Sequence, residues 1–185
     1  MRKLLYDEIL AERKTNEAAL QAVRHPVSVL LDNIRSLYNV GSLFRTCDSA
    51  LAEKLILTGY TPYPPRVEID KTALGATSSV PWKYYKFPAD AISDLKAEGK
   101  KIFALELTDE KRMYDDILPE DFPVCLVLGN ELSGISNDVM RLCDDSVEIP
   151  MYGVKHSLNV SVSGGIAIYE AVRLWRKYHK EALTI

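Results

Sequence analysis

Short apolar runs punctuate the chain: "VSVLL" from residue 27, "KLILTG" from 54, "WKYYKF" from 82, "KIFALEL" from 101, "VCLVLG" from 124 and "SVEIP" from 146. Most are apolar at successive positions rather than alternate ones, which is the pattern of a strand buried on both faces. Between them the spacing changes to the helical period. It predicts helices over 40–51, 89–98, near 136–143, and from the Gly164–Gly165 pair to about residue 180. Ahead of the first run, Leu4, Leu5, Ile9, Ala19, Leu20 and Val23 recur among charged residues, predicting one amphipathic helix over 3–23. Strands alternating with helices predict an α/β fold, a mainly parallel sheet covered by helices on both faces. Pro62, Pro64 and Pro65 mark a surface loop. The organisation expected is a helical leader over 1–25 and a single domain over 26–185.

Composition narrows this little. The 185 residues are 47% hydrophobic and 26% charged, an ordinary globular balance. The net charge of −3 gives no whole-chain attraction for nucleic acid, so any basic surface must be local. Cys47, Cys125 and Cys143 are odd in number, far apart and flanked by apolar or helix-forming residues. Buried free thiols in a reducing compartment are expected. The charged N-terminus has no apolar core of signal-peptide length, and no apolar run is long enough to span a bilayer. A cytoplasmic protein without a membrane partner is the expectation.

In open α/β sheets ligands bind beyond the C-terminal ends of the strands, so the loops there draw attention. The first, "NIRSLYNVGSLFRTCDSA", carries Asn39, Gly41 and Arg45. One reading makes Asn39 a helix cap, Gly41 a tight entry, and Arg45 with Asp48 a solvated pair. The other has Asn39 and Arg45 pointing from one face toward the strand ends. The second, "LVLGNELSGIS", brings Gly129, Asn130 and Glu131, with Ser136 as a cap for the next helix. Gly129 serves either a turn or the close approach of a flat ligand to the backbone. In the third, Ser157, Asn159, Ser161 and Ser163 alternate with apolar residues, a strand-like pattern, directly before a helical stripe. His156 beside Ser157 does not make a hydrolase: sequence neighbours seldom present that geometry, and there is no GxSxG elbow.

"NVGSLFRT", "LVLGNELSGIS" and "IPMYGVKHSLNVSVSGGIAIYE", in that order, resemble the three signature motifs of the SpoU family within the SPOUT superfamily. The resemblance covers about residues 27–178. It implies an S-adenosylmethionine-dependent RNA ribose 2′-O-methyltransferase whose C-terminal part threads through a loop to form a trefoil knot. Gly164, Gly165 and the small serines then mark the crossing. The cofactor implied is S-adenosyl-L-methionine, held by Leu107, Gly129, Ile149, Met151 and Leu158 largely through backbone and apolar contacts. Its sulfonium makes the methyl group electrophilic, so no metal is called for. The catalytic set implied is Arg45, Asn39, Glu131, Ser157 and Asn159. Arg45 stands at the 2′-oxygen, Asn39 holds Arg45 or the ribose, Glu131 orients its neighbours, and Ser157 and Asn159 complete the substrate side. Because an arginine stays protonated, Arg45 is read as a stabiliser of developing negative charge rather than an ordinary base.

The resemblance also implies a homodimer built on the knotted region, with the last helix as one candidate face. RNA is the expected partner, transfer RNA first and ribosomal RNA second. Arg66, Lys71, Lys83 and Lys86, interleaved with Trp82, Tyr84 and Tyr85, form a candidate contact patch. Two other classes compete with this reading. A non-catalytic knotted RNA-binding or assembly factor would not need the five polar site residues together. A dinucleotide enzyme would need a GxGxxG that "DNIRSLYNVG" lacks.

Overall fold

Strand β1 (His25–Asp32) is buried along nearly its whole length because it lies at the centre of the sheet. It pairs in parallel with β2 (Ala52–Thr58) on one side and with β5 (Val124–Leu128) on the other. The computed structural model describes residues 1–12, 14–110 and 112–179. Beyond β2 lies β3 (Trp82–Tyr85), and beyond β5 lie β4 (Lys101–Leu105) and then β6 (Asp145–Val147). The order β3-β2-β1-β5-β4-β6 is parallel throughout. Every apolar run of the sequence thus supplies a strand.

Alternate side chains of β1 feed opposite faces of the sheet. Val27, Val29 and Leu31 join a core with α3 (Leu37–Ser49), α4 (Val67–Ala73) and α7 (Val160–Tyr178). Leu30, Ile102 and Val127 pack on the other face against α5 (Pro88–Ala97) and α6 (Asn137–Met140). Large side chains such as Leu30, Leu31 and Phe44 are wholly buried. Each contributes roughly 1.5–3 kcal/mol through the apolar surface it removes from water.

Some expectations change. The leader is two short helices, α1 (Tyr6–Ala11) and α2 (Asn16–Gln21), not one. The break has a physical cause: the Thr15 side chain accepts a hydrogen bond from the Ala18 amide and caps α2. Only Ala19 of the leader helices is buried, whereas Leu4, Leu5, Ile9, Leu20 and Val23 are exposed. Arg24 ties the end of this segment down by donating to the carbonyls of Ala19, Ala52 and Ser79.

The segment after the proline-rich loop forms α4, which the sequence pattern did not announce. With Ile69 and Ala73 as its buried residues, it offers too few repeats to register as periodic. The alternating serines open α7 rather than a strand, because Asn159 caps that helix by accepting from the amide and the hydroxyl of Ser161. Among the described residues no helix is long and apolar enough to cross a membrane. Burial pushes the Cys47 and Cys143 thiols up to about 12, so both are ordinarily protonated.

Candidate active site

The sheet order reverses between β1 and β5, and the loops leaving these strands diverge to open a crevice at their C-terminal ends. Both loops are fixed from below. Asp32, buried at the end of β1, accepts from the Ser136 amide at 2.9 Å and the Ser136 hydroxyl at 2.8 Å. Ser136 therefore spends its hydroxyl on Asp32 instead of on capping α6. The amide of Asn130 donates to the Asn33 carbonyl at 2.8 Å and to the Tyr60 hydroxyl at 2.9 Å, while its oxygen accepts from the Leu132 and Ser133 amides. A Cβ on Gly129 would lie 2.2 Å from the Ile135 nitrogen, so this glycine lets the loop close on itself. Gly134 has φ +69°, and a Cβ there would sit 2.3 Å from Glu106 Oε2, which accepts from the Ile135 amide.

Held in this way, Glu131 reaches across the crevice. Its two oxygens accept from the Arg35 amide at 2.9 Å, the Ser36 amide at 3.0 Å and Asn39 Nδ2 at 2.9 Å. Burial alone would push its carboxyl up. The bonds from Arg35, Ser36 and Asn39 outweigh that and hold it below the ordinary carboxylate value. Asn39 Oδ1 in turn accepts from Asn159 Nδ2 at 3.2 Å. One residue from each of the three sequence motifs, 92 and 120 positions apart along the chain, therefore meets at one point. Asn39 is free for this because the cap of α3 is Ser36, whose hydroxyl accepts from the Asn39 amide.

Arg45 lies elsewhere on α3. Six residues separate it from Asn39, which is about 9 Å along the axis and about 120° around it. The two do not project from one face, contrary to the second of the sequence readings. The first reading fails too, since Asp48 accepts from the Ser79 hydroxyl and not from Arg45. Arg45 is exposed and makes no hydrogen bond among the described residues. It lines an open cleft with Ser42, Thr46, Ser49, Lys71, Thr72 and Tyr169. Gly41 is not at a tight helix entry either. It allows α4 to approach, since a Cβ would lie 2.3 Å from the Ile69 carbonyl oxygen.

Leu107, Gly129 and Ile149 leave the ends of β4, β5 and β6, which adjoin one another in the sheet, so they sit along one edge. Met151, Ser157 and Leu158 follow on the segment from β6 to α7, anchored at its far end by the Asn159–Asn39 contact. Leu107 is 52% and Leu158 39% exposed, apolar surface left uncovered beside the crevice. Ser157 and its neighbour His156 are exposed and share no hydrogen bond. The segment between β4 and β5 wraps the exit of β6: Met113 bridges to Glu148, and Arg112 pairs with Asp121 and Asp145.

Residues 26–169 match the sequence profile of the SpoU rRNA Methylase family. The chain belongs to this family. It is 31% identical over 155 residues to the tRNA (guanosine(18)-2′-O)-methyltransferase of Escherichia coli K12, the match taking in 82% of this chain and 66% of that enzyme. Its fold superposes on the Aquifex aeolicus TrmH/SpoU tRNA modifying enzyme with a TM-score of 0.78 at 28% identity, covering 94% of this chain and 85% of that one. It is also similar to the SpoU methyltransferase AviRb of Streptomyces viridochromogenes, solved in complex with AdoMet. There the TM-score is 0.75 at 27% identity, over 83% of this chain and 62% of that one. The chain thus spans just under two thirds of the length of the E. coli enzyme and of AviRb.

Within this SpoU chain, sequence reasoning missed Asp32, Glu106 and Tyr60, the groups that fix the second motif. The signal for Asp32 was a carboxylate ending an otherwise apolar run, a position that buries a charge unless something donates to it. Two members of the candidate basic patch have identifiable surroundings. Lys83 sits 4.3 Å from the ring centre of Tyr85 and pairs with Asp94. Lys71 instead joins Arg45 in the cleft.

Proposed function

We propose that this SpoU-family protein transfers a methyl group from S-adenosyl-L-methionine to a ribose 2′-hydroxyl of RNA. Transfer RNA is the first substrate class and ribosomal RNA the second. The observation that carries the reading is the Glu131–Asn39–Asn159 chain of hydrogen bonds, which brings one residue from each motif to the switch point of the sheet. A relative acting on guanosine 18 of tRNA and a family named for rRNA support the substrate class.

The residues present fit the cofactor. The half-exposed Leu107 and Leu158 offer apolar surface to a purine, and the ends of β4, β5 and β6 place Gly129, Ile149 and Met151 beside them. When bound, the sulfonium supplies an electrophilic methyl group. The chain's own task is the oxygen nucleophile. Arg45, permanently charged and without a partner among the described residues, orients the ribose hydroxyl and stabilises the negative charge that develops on it. Asn39 and Asn159, locked by Glu131 and Ser161, present fixed dipoles to the sugar, and Ser157 adds a free hydroxyl on the same side.

A homodimer belongs to this reading. Val162 and Ile166 of α7 are exposed, and a Cβ on Gly165 would meet nothing within 4 Å. A second copy laid on this face places the site near the subunit boundary. The knot implied by the motifs would be closed by the segment wrapping β6. Residues 26–185 form the catalytic domain in this reading, 1–25 its leader, and the cytoplasm its location.

The test is incubation of the protein with methyl-labelled cofactor and total RNA, followed by mapping of ribose methylation. Label in a tRNA or rRNA 2′-O position is the expected outcome. Stabilisation by the cofactor without any methyl transfer would leave a non-catalytic RNA-binding factor as the better description.

A further inference from the structure

The segment between β4 and β5 runs beside β6, yet it pairs with the exit of that strand through a single bridge, Met113 with Glu148. Two backbone bonds make the bridge. The Glu148 amide donates to the Arg112 carbonyl at 2.9 Å, and the Tyr114 amide donates to the Glu148 carbonyl at 3.0 Å. One rung is a weak hold on a segment that begins at a cofactor residue. We infer that the Arg112 side chain is a positioning residue for the cofactor, bolting this segment to β6 so that Leu107 and Ile149 keep their separation. This inference rests on the proposed use of S-adenosyl-L-methionine and names a residue on which its binding depends.

The guanidinium reaches three parts of the chain at once. Nη1 donates to Asp145 on β6, while Nη2 donates to Asp121 and to the Asp116 carbonyl, the last at 2.8 Å. The group also lies 5.0 Å from the centre of the Phe103 ring on β4. Asp121 is 4% exposed and accepts in addition from Lys101 Nζ and from the Leu118 amide, each at 2.8 Å. A rigid planar fork holds two carboxylates and a carbonyl in one geometry, which a single ammonium does less well. Partly buried charges of this kind are little screened by salt.

The tie lies between cofactor residues. Leu107 precedes Arg112 on the segment, and Ile149 follows Glu148 directly. Nearer β4, the Glu106 amide donates to the Val147 carbonyl at 3.2 Å, and the Thr108 and Ser146 hydroxyls share a bond of 2.8 Å. Those contacts fix the near end of the segment, and Arg112 fixes the far end. Without the bolt the ligand itself would have to order the segment. Affinity then falls with the fraction of molecules already in the binding arrangement. All these groups find their partners within one chain, so nothing here depends on which surface a second copy covers.

The experiment compares the full-length wild type with Arg112→Gln, Asp145→Ala and Lys101→Met. The first two cut the tie to β6, one from each side. Lys101→Met removes a cation from the same buried Asp121 but leaves that tie intact. Affinity for S-adenosyl-L-homocysteine is measured by calorimetric titration well below each variant's thermal midpoint, and methyl transfer to total tRNA is measured in parallel. Arg112→Gln and Asp145→Ala should each raise the Kd for S-adenosyl-L-homocysteine and the KM for S-adenosyl-L-methionine about 10-fold, the scale of one charge-assisted hydrogen bond. The KM for tRNA, and kcat at saturating cofactor, should stay near wild type. Lys101→Met should lower the thermal midpoint and leave the Kd unchanged.

If the wild type binds while folded Arg112→Gln and Asp145→Ala bind as tightly, the positioning role is wrong and the proposed function stands. If Lys101→Met weakens binding as much as they do, the effect is general loosening and the role is again wrong. A wild type with no affinity for S-adenosyl-L-homocysteine and no methyl transfer removes the proposed function and this inference with it. Should Arg112→Gln fail to fold, Asp145→Ala carries the test, because it leaves Asp121 with both of its cations.

Discussion

The two ends of α3 contrast. At its N-terminal end Asn39 is held by Glu131 and Asn159, and Glu131 also receives the amides of Arg35 and Ser36. Six residues on, Arg45 stands in an open cleft with no partner among the described residues. One end is finished before any ligand arrives; the other has a charge still to be satisfied. Preorganised dipoles aim at a reacting atom without further reorganisation. A free cation releases its energy only when an anion arrives or negative charge develops. The fold therefore separates positioning from charge stabilisation along a single helix.

The sharpest way to break the contrast is Arg45→Ala. Because Arg45 is exposed and bonds to none of the described residues, the thermal midpoint and cofactor affinity should stay near wild type. Methyl transfer should fall by about 10²–10³-fold, the usual consequence of removing a group that stabilises developing oxyanion charge. Calorimetric titration with S-adenosyl-L-methionine and a labelled-methyl assay read the two arms. An Arg45→Ala protein that retains turnover would place charge stabilisation elsewhere.

Gly41→Ala attacks the cleft through its wall. The new Cβ would lie 2.1 Å from Thr72 Oγ1 and 2.3 Å from the Ile69 carbonyl oxygen. The backbone atom cannot rotate away, so α4 must shift and reshape the cleft that holds Arg45. Overpacking of this kind costs about 1–3 kcal/mol, against the roughly 1 kcal/mol that Gly→Ala otherwise gains inside a helix. Urea unfolding should show a lower midpoint, and methyl transfer should fall while the Glu131 end is untouched.

What the sequence revealed follows the same division. Each strand was legible because a central parallel strand needs apolar residues at successive positions, and β1, β4 and β5 have them. Asn39, Glu131 and Asn159 were legible as members of motifs, although their mutual hydrogen bonds were not. Those bonds depend on how far β5 lies from β1, which is a property of strand order. Arg45 does not share a face with Asn39 because six residues is nearly two turns and leaves it about 120° around the helix. The wall of its cleft escaped since α4, at seven residues, is too short to announce itself as a helix. A carboxylate ending the apolar run of β1 signals that Asp32 needs donors, but nothing local says that they are Ser136, far along the chain, or that Glu106 serves the Ile135 amide.

Glu131→Ala sharpens the comparison from the other end, with a smaller effect on stability. It leaves the Arg35 and Ser36 amides and Asn39 Nδ2 to water. About 1–2 kcal/mol should be lost, the range for removing a capping acceptor. Glu131→Gln, which keeps an acceptor, should lose less. The pH dependence follows from the sign of its shift. Desolvation alone raises the folded carboxyl, but the three hydrogen-bond donors bring it below the unfolded value. Its stabilisation is therefore complete above the ordinary carboxylate pKa and disappears as pH falls through the lower folded value. Stability measured from pH 6 downward should show a shallower acid limb in Glu131→Gln than in wild type. Identical limbs would mean that Glu131 is not the group being titrated.

Ser36→Ala should have the smallest effect, and it tests whether the finished end of α3 acts as a unit. The Ser36 hydroxyl accepts from the Asn39 amide at 3.3 Å, a long bond, while its own amide goes to Glu131. Alone, losing the hydroxyl should cost about 0.5–1 kcal/mol in unfolding free energy. In a Glu131→Ala background the same change removes a second acceptor from a helix terminus that has already lost one. The two losses should then fail to add by at least about 0.5 kcal/mol, as they do for groups sharing one hydrogen-bond network. Strict additivity would mean that cap and carboxylate hold α3 independently. The N-terminal end would then be two separate contacts, and its rigidity could no longer be set against the openness of the Arg45 cleft.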